Sequence, residues 1–112
     1  MAKLTTRTYS RYTLEAIGLL SKLIRLARKE KAMTAQQLAD RAGVSRGLVQ
    51  RIEQADPKCE LGAVFEVAAI LGITLFHSDA RELAVQVKRT DELLALLPKS
   101  VRTVTPVADD DF

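Results

Sequence analysis

The chain has 112 residues, of which 47% are hydrophobic, a length that suits one small domain with its own core rather than two. Its single cysteine, Cys59, excludes an internal disulfide framework and a cysteine-based metal cluster within one chain. Charged residues interrupt the apolar stretches every few positions, so we expect no membrane span, no signal peptide and a cytoplasmic location.

Charge is distributed unevenly along the chain. Up to Lys58 there are 12 Lys and Arg residues against 5 Asp and Glu, which gives a net charge of +7. From Cys59 onward there are 5 against 9, which gives a net charge of −4. The basic half predicts an anionic partner, most simply nucleic acid, although an ordinary basic surface would give the same count. The acidic half predicts a different partner.

The first predicted elements are an arm and a long helix. Residues 1–12 are polar and basic without a sustained period, and we interpret them as a flexible basic arm. From about Thr13 to Lys31 apolar residues recur at helical spacing, with Thr13 as the expected N-cap. The pattern predicts a long, mostly buried first helix.

Two short helices separated by a glycine follow. Thr34 stands three residues before Gln37, the pattern of a capping box, and so opens the second helix. Gly43 is expected to close that helix in the left-handed conformation. Ser45 then caps a third helix, and the tight turn sets it at an angle that lets its polar face protrude, as reading of the DNA major groove requires. That face carries Arg46, Gly47, Gln50 and Arg51.

A fourth helix and a short strand are predicted next. Apolar spacing indicates a helix from about Leu61 to Leu71, closed by Gly72. From Ile73 to His77 the sequence ITLFH alternates apolar and polar residues, which is typical of a strand. So short a strand is not stable alone and no other stretch of the chain resembles a partner, so we expect it to pair with its copy in a second subunit.

The last part of the chain predicts one more helix and a tail. The helix extends from Asp79 to about Leu97 and is stopped by Pro98, and its segment, 78–98, offers a dimer or partner surface. Residues 99–112 are expected to form a disordered acidic tail that becomes ordered on a partner. The residues predicted at the dimer interface are Ile73, Leu75, Leu83 and Val87, and those predicted to bind the partner are Asp109, Asp110, Asp111 and Phe112.

The stretch MTAQQLADRAGVSRGLVQRIEQ, followed by LGAVFEVAAILGI, resembles the XRE family of Cro and phage-repressor helix-turn-helix proteins. The resemblance lies mainly in Leu38-Ala39, Gly43-Val44-Ser45 and Ile52-Glu53. It implies an all-α fold in which residues 13–77 form a five-helix, repressor-like domain that binds operator DNA as a homodimer. The short intermolecular strand, an additional C-terminal helix and the disordered tail complete the expected architecture.

The resemblance also implies roles for individual residues. The third helix would read bases, and Gln50 is the residue that we expect to read one of them. Arg28 looks like the basic residue of the family that lies near phosphate at the end of the first helix. The chain departs from the family at Ala35, where Gln usually touches the DNA backbone, and at Gly47, where a base-reading side chain is common. The predicted phosphate contacts are Arg28, Thr34, Gln36, Gln37 and Ser45.

The remaining stretches, DPKCELGAVFEVAAILGITLFHSDA, LLPKSVR and the terminal DDDF, look like the HipB-like antitoxins that are encoded beside HipA-type kinases. That second resemblance implies an autoregulatory repressor that also neutralises a HipA-like kinase toxin. Two alternatives stay open at this point. One is a stand-alone phage-type or chromosomal repressor, and the other is a protein-interaction adaptor that binds no operator.

Residues that suggest other chemistry have plainer interpretations. His77 has no cluster of further histidines or cysteines around it, so a metal site is not expected. Cys59 has no obvious activating partner, and an inert thiol is expected rather than a redox sensor. Neighbouring acidic residues such as Asp91 and Glu92 occur without a nucleophile, a phosphate loop or a metal motif. We therefore expect no enzymatic activity, no metal and no cofactor.

Overall fold

The computed structural model describes residues 8–101 of the chain. Its α-helices are α1 (Arg11–Glu30), α2 (Ala35–Ala42), α3 (Arg46–Glu53), α4 (Leu61–Ile70) and α5 (Ala80–Ala95), and a 3-10 turn, η1, spans Leu75–His77. The prediction of an all-α fold is confirmed. The C-terminal helix α5 is the fifth α-helix of the described part rather than an addition to five. The chain divides after His77 into two compact units, each considered by itself below.

The first helix begins earlier than the sequence pattern predicted. Ser10, not Thr13, is the N-cap, and its hydroxyl oxygen accepts the backbone N–H of Thr13 at 3.2 Å. Arg11 and Tyr12, which were predicted to belong to the arm, therefore form the first turn of α1. Residues 1–7 of the predicted arm lie outside the described residues, as do residues 102–112 of the predicted tail with its partner-binding positions.

The core of the first unit lies where α1 to α4 meet. Its largest fully buried side chains are Ile24, Leu38, Val49 and Val67, one from each of these four helices. Burial of a side chain of this size contributes about 1.5–3 kcal/mol to stability. Because α1, α2, α3 and α4 each supply one such side chain to the same core, the position of each of these four helices depends on the other three.

The strand predicted from Ile73 to His77 was wrong. The 3-10 turn η1 occupies the end of this stretch, and Phe76 and His77 have φ angles of 60° and 53°, in the left-handed region that a strand cannot contain. Ile73 packs on the core of its own unit, and the ring of Phe76 lies edge-on to that of Phe65 with 6.5 Å between centroids. The apolar residues of the alternating pattern thus pack on other parts of their own unit, and the pattern no longer supports a dimer formed through a strand here.

Helix α5 belongs to the second unit and is almost entirely exposed. Asp79 caps it by accepting the N–H of Glu82 at 2.8 Å, and the helix ends close to the predicted stop before Pro98. None of its residues is buried, and both residues predicted there for the dimer interface, Leu83 and Val87, are exposed. A helix of this length gains little stability in water from its own hydrogen bonds, so its exposed apolar face favours association with a partner.

Candidate nucleic-acid interface

Two capped short helices and the turn between them build the candidate site. The backbone N–H of Gln37 donates to the Thr34 hydroxyl oxygen at 3.0 Å, and the Gln37 side chain accepts the N–H of Thr34 at 2.9 Å, so the predicted capping box is confirmed. Gly43 ends α2 at φ 72° and ψ 31°, the predicted left-handed conformation. Ser45 caps α3, as predicted, by accepting the N–H of Leu48 at 3.1 Å.

Helix α3 divides cleanly into a buried and an exposed side. Val49 and Ile52 are buried in the core, which fixes the rotation of the helix about its axis. The four residues predicted to read bases lie on the exposed side: Arg46, Gly47, Gln50 and Arg51. The side of α3 that faces solvent therefore offers guanidinium and amide groups on a rigid support, which is the chemistry that pairs with base edges.

Gly47 has no steric reason to be glycine in the isolated protein. A Cβ added there would meet only the Ser45 hydroxyl oxygen, at 4.0 Å, which is ordinary van der Waals contact. Its backbone is helical, so glycine is not required for its conformation and costs helix stability relative to alanine. An open patch of backbone on the exposed side permits close approach by another molecule.

Arg28 lies near the end of α1, as the resemblance implied, but it forms contacts inside the protein that the resemblance did not imply. Its Nε and Nη2 donate to the two carboxylate oxygens of Glu53 at 2.6 and 2.9 Å, and its Nη1 donates to the carbonyl oxygen of Met33 at 2.9 Å. The hydrogen bond with Glu53 raises the pKa of the guanidinium. The phosphate contact implied for Arg28 therefore competes with three hydrogen bonds inside the protein.

A second contact ties α1 to α3. The hydroxyl of Ser21, buried on α1, donates to the carbonyl oxygen of Ile52 at 2.7 Å. That carbonyl lies in the last turn of α3 and also accepts the backbone N–H of Ala55 at 3.0 Å, so the Ser21 hydroxyl adds a second donor to it. Together with the Arg28–Glu53 ion pair, it fixes the C-terminal turn of α3 against α1. Neither contact was predicted from the sequence.

Arg51 is also engaged within the protein, though at the surface. Its Nε lies 3.0 Å from a carboxylate oxygen of Asp56, and the side chain of Arg51 is 50% exposed. The backbone N–H of Lys58, and then Arg51, lower the pKa of Asp56. An exposed ion pair is weak, so Arg51 can exchange Asp56 for a phosphate or a base.

The predicted phosphate contacts other than Arg28 cluster at two helix N-termini. Thr34 and Ser45 cap α2 and α3, and because their oxygens accept backbone N–H groups, their hydroxyl protons stay available to donate. Gln37 belongs to the capping box, whereas Gln36 donates to Asp40 at 2.9 Å on the exposed side of α2. Helix N-termini carry a partial positive charge, which favours a phosphate at these positions.

Sequence reasoning missed Arg25. It is exposed on α1 and lines an open cleft together with Gln50, Gln54 and Ala35. The available signal was its spacing, since Arg25 stands one helical turn before Arg28, on a neighbouring side of the same helix. Arg25 therefore brings a positive charge beside the residue that we expect to read a base.

Other kinds of site find little support in the described part of the chain. Residues 8–101 contain no group of three or more His, Cys, Asp and Glu side chains arranged to hold a metal ion. No helix described there is long and apolar enough to cross a membrane. Partial burial raises the pKa of Cys59, which keeps the thiol protonated at neutral pH and lowers its reactivity.

Residues 24–77 match the helix-turn-helix family model, which represents the XRE type. The match covers just under half of the chain, from the second half of α1 to the end of η1. It bears on the helix-turn-helix family and not on the HipB-like subgroup. No curated protein and no solved structure matches the sequence. The residues that match the family model therefore include the two short helices and the turn that form the candidate site.

Proposed function

We propose that this helix-turn-helix domain binds double-stranded DNA in a sequence-specific way and acts as a transcriptional repressor. The observation that carries the proposal is the exposed side of α3, where Arg46 and Gln50 project while Val49 and Ile52 anchor the helix in the core. A short, rigid helix with such side chains fits the major groove. The net charge of +7 up to Lys58 supplies the attraction to the phosphate backbone.

Base reading is proposed to centre on Gln50. Its amide can donate to and accept from the edge of an adenine, and it lies one turn after Arg46 on the same exposed side. Arg46 would then contact the outermost base or the backbone. Gly47 lets the DNA approach the helix backbone, and Arg51 takes part when it leaves Asp56.

Backbone contacts are proposed at the two helix N-termini and beside α3. Thr34, Gln36, Gln37 and Ser45 keep the phosphate roles expected from the sequence. Arg25 is proposed to supply the positive charge expected from Arg28, because Arg28 is committed to Glu53 and Met33 while Arg25 is exposed beside Gln50. Phosphate contacts of this kind position the domain, and base contacts give it specificity.

The proposal extends to partners. Repressors of the resembled family act as homodimers, and a HipA-like kinase is the further partner that the HipB-like resemblance implies. The apolar face of α5, with Leu83 and Val87, supports contact with either of them because it is exposed in a helix with no buried residue. We propose that the kinase also contacts Asp109, Asp110, Asp111 and Phe112 of the tail.

Selection of binding sites from a random duplex library tests the proposal. The purified full chain should enrich one short motif over successive rounds, and a competitor of random DNA should bind more weakly by at least about a thousandfold. Binding without enrichment of any motif would reduce the function to non-specific association with DNA. No binding at low salt would favour the protein-interaction adaptor instead.

A further inference from the structure

The outward side of α1 carries a continuous apolar stripe. It consists of Tyr12, Ala16, Leu19, Leu23 and Leu26, which follow one another at alternating intervals of four and three residues. All five are exposed, with 60% of Leu19, 41% of Leu23 and 55% of Leu26 in contact with solvent. The alternating spacing is that of the seam by which two helices pack in a coiled coil.

This stripe lies on the side of α1 that faces away from α3. Ser21 and Arg28 mark the side that contacts α3, through the Ile52 carbonyl and the Glu53 carboxylate. Leu19 precedes Ser21 by two residues, and Leu26 precedes Arg28 by two. A step of two residues is a rotation of about 200° around the helix axis, so these leucines lie on nearly the opposite side. The stripe therefore contributes neither to the contact of α1 with α3 nor to the proposed DNA-binding surface.

We propose that a second copy of this chain covers the stripe, with the two α1 helices packed antiparallel about a two-fold axis at Leu19. In that arrangement Leu19 meets Leu19 of the other copy, Ala16 faces Leu23, and Tyr12 faces Leu26. The small side chain stands opposite a large one, which allows close packing. From Tyr12 to Leu26 the stripe is about 21 Å long, enough for two heptads of contact.

The charges beside the stripe select the antiparallel direction. Glu15 and Lys22 stand seven residues apart on the same edge, so an antiparallel pair places Glu15 of each copy beside Lys22 of the other, twice. A parallel pair would place Glu15 beside Leu20 and Lys22 beside Ala27, where no charge is available. Among residues 8–101 of one chain, Glu15 forms only a 3.7 Å contact with Arg11, whose side chain is 91% exposed, so this contact is readily exchanged.

Sedimentation of the full chain without DNA tests this surface separately from DNA binding. The wild-type protein should dimerise as its concentration rises, and Leu19→Glu should be monomeric across the same range. Arg25→Glu, a change at an exposed position on another side of the same helix, should leave the assembly unchanged. Thermal unfolding checks that both variants are folded, as expected for changes at exposed positions.

Charge reversal tests the direction of pairing. Lys22→Glu or Glu15→Lys alone should weaken dimerisation about tenfold, because each creates two like-charge contacts across the two-fold axis. The double variant Glu15→Lys/Lys22→Glu should restore the wild-type affinity. Three results would overturn the proposal: a monomeric wild-type chain, a Leu19→Glu variant that still dimerises, or a double variant as weak as the single ones. Loss of the dimer only on changing Leu83 and Val87 would assign self-association to α5.

Discussion

Arg28 and Glu53 lie 25 residues apart in the sequence and form a two-bond ion pair that joins the end of α1 to the end of α3. Their side chains are only 15% and 10% exposed, and the third hydrogen bond of Arg28 holds the carbonyl of Met33 just before α2. One guanidinium therefore connects α1 with the end of α3 and with the loop that leads into α2. The orientation of α3, and with it the candidate reading face, depends on this pair.

Replacing Arg28 should cost stability in the absence of any DNA. Arg28→Ala leaves the Glu53 carboxylate mostly buried without its partner, and we expect the free energy of unfolding to fall by about 3 kcal/mol. Arg28→Lys should recover little of this, since an ammonium group cannot form the paired contact. Urea unfolding measures the effect, and the exposed Arg25→Ala serves as control, with a change below about 0.5 kcal/mol. If the free energy of unfolding fell equally and only slightly in both variants, Arg28 would be free to make the phosphate contact expected from the sequence.

Arg25 should act on DNA binding and not on stability. If its guanidinium neutralises one phosphate, Arg25→Ala should weaken binding to specific and random DNA alike. The slope of log affinity against log salt should become shallower by about 0.9 for each subunit bound. Fluorescence anisotropy at several salt concentrations gives the slope. An unchanged slope would remove Arg25 from the interface.

Gly47 should show opposite effects on folding and on binding. Because a Cβ meets only ordinary contact there, Gly47→Ala should stabilise the free protein by roughly 0.5–1 kcal/mol through better helix propensity. If DNA approaches the helix backbone closely at this position, the same methyl group should reduce affinity for DNA. Thermal unfolding and anisotropy on one preparation compare the two. Unchanged or tighter DNA binding would contradict close approach.

Cys59 should behave as a structural thiol. Burial raises its pKa and outweighs the opposing effect of Arg51, so the folded protein holds the thiol proton more tightly than the unfolded chain does. Stability contributed by this group is accordingly lost as the pH rises above the ordinary thiol pKa. Iodoacetamide at about pH 8 should modify the folded chain more slowly than the urea-unfolded chain, with Cys59→Ser as the blank. Fast modification of the folded protein would indicate an activated thiol.

Features set by neighbouring residues were predictable from the sequence. The capping box of Thr34 and Gln37, the left-handed Gly43 and the cap at Ser45 each depend on residues within one turn of the chain. For α1 the same local reasoning predicted the cap at Thr13, whereas the helix is capped three residues earlier, by Ser10.

Features set by distant residues were not predictable in this way. The Arg28–Glu53 pair joins residues 25 positions apart, and the Ser21–Ile52 bond joins residues 31 positions apart. No local sequence pattern predicts contacts over such separations. The prediction of a strand ending at His77 failed for a related reason. A five-residue alternation cannot distinguish a strand from a turn whose apolar side chains pack on distant residues, as Phe76 does on Phe65.

The central claim, that α3 reads bases through Gln50, is tested most directly by competition with single-base variants of the selected DNA site. Two glutamines serve as a matched pair, because Gln50 lies on the exposed side of α3 and Gln36 at the start of α2. Gln50→Ala should cost roughly 1–3 kcal/mol on the preferred site and abolish discrimination at one base-pair position, whereas Gln36→Ala should weaken all variants alike. The account would be contradicted if both variants lost affinity equally for all DNA sites and Gln50→Ala still discriminated between bases at every position.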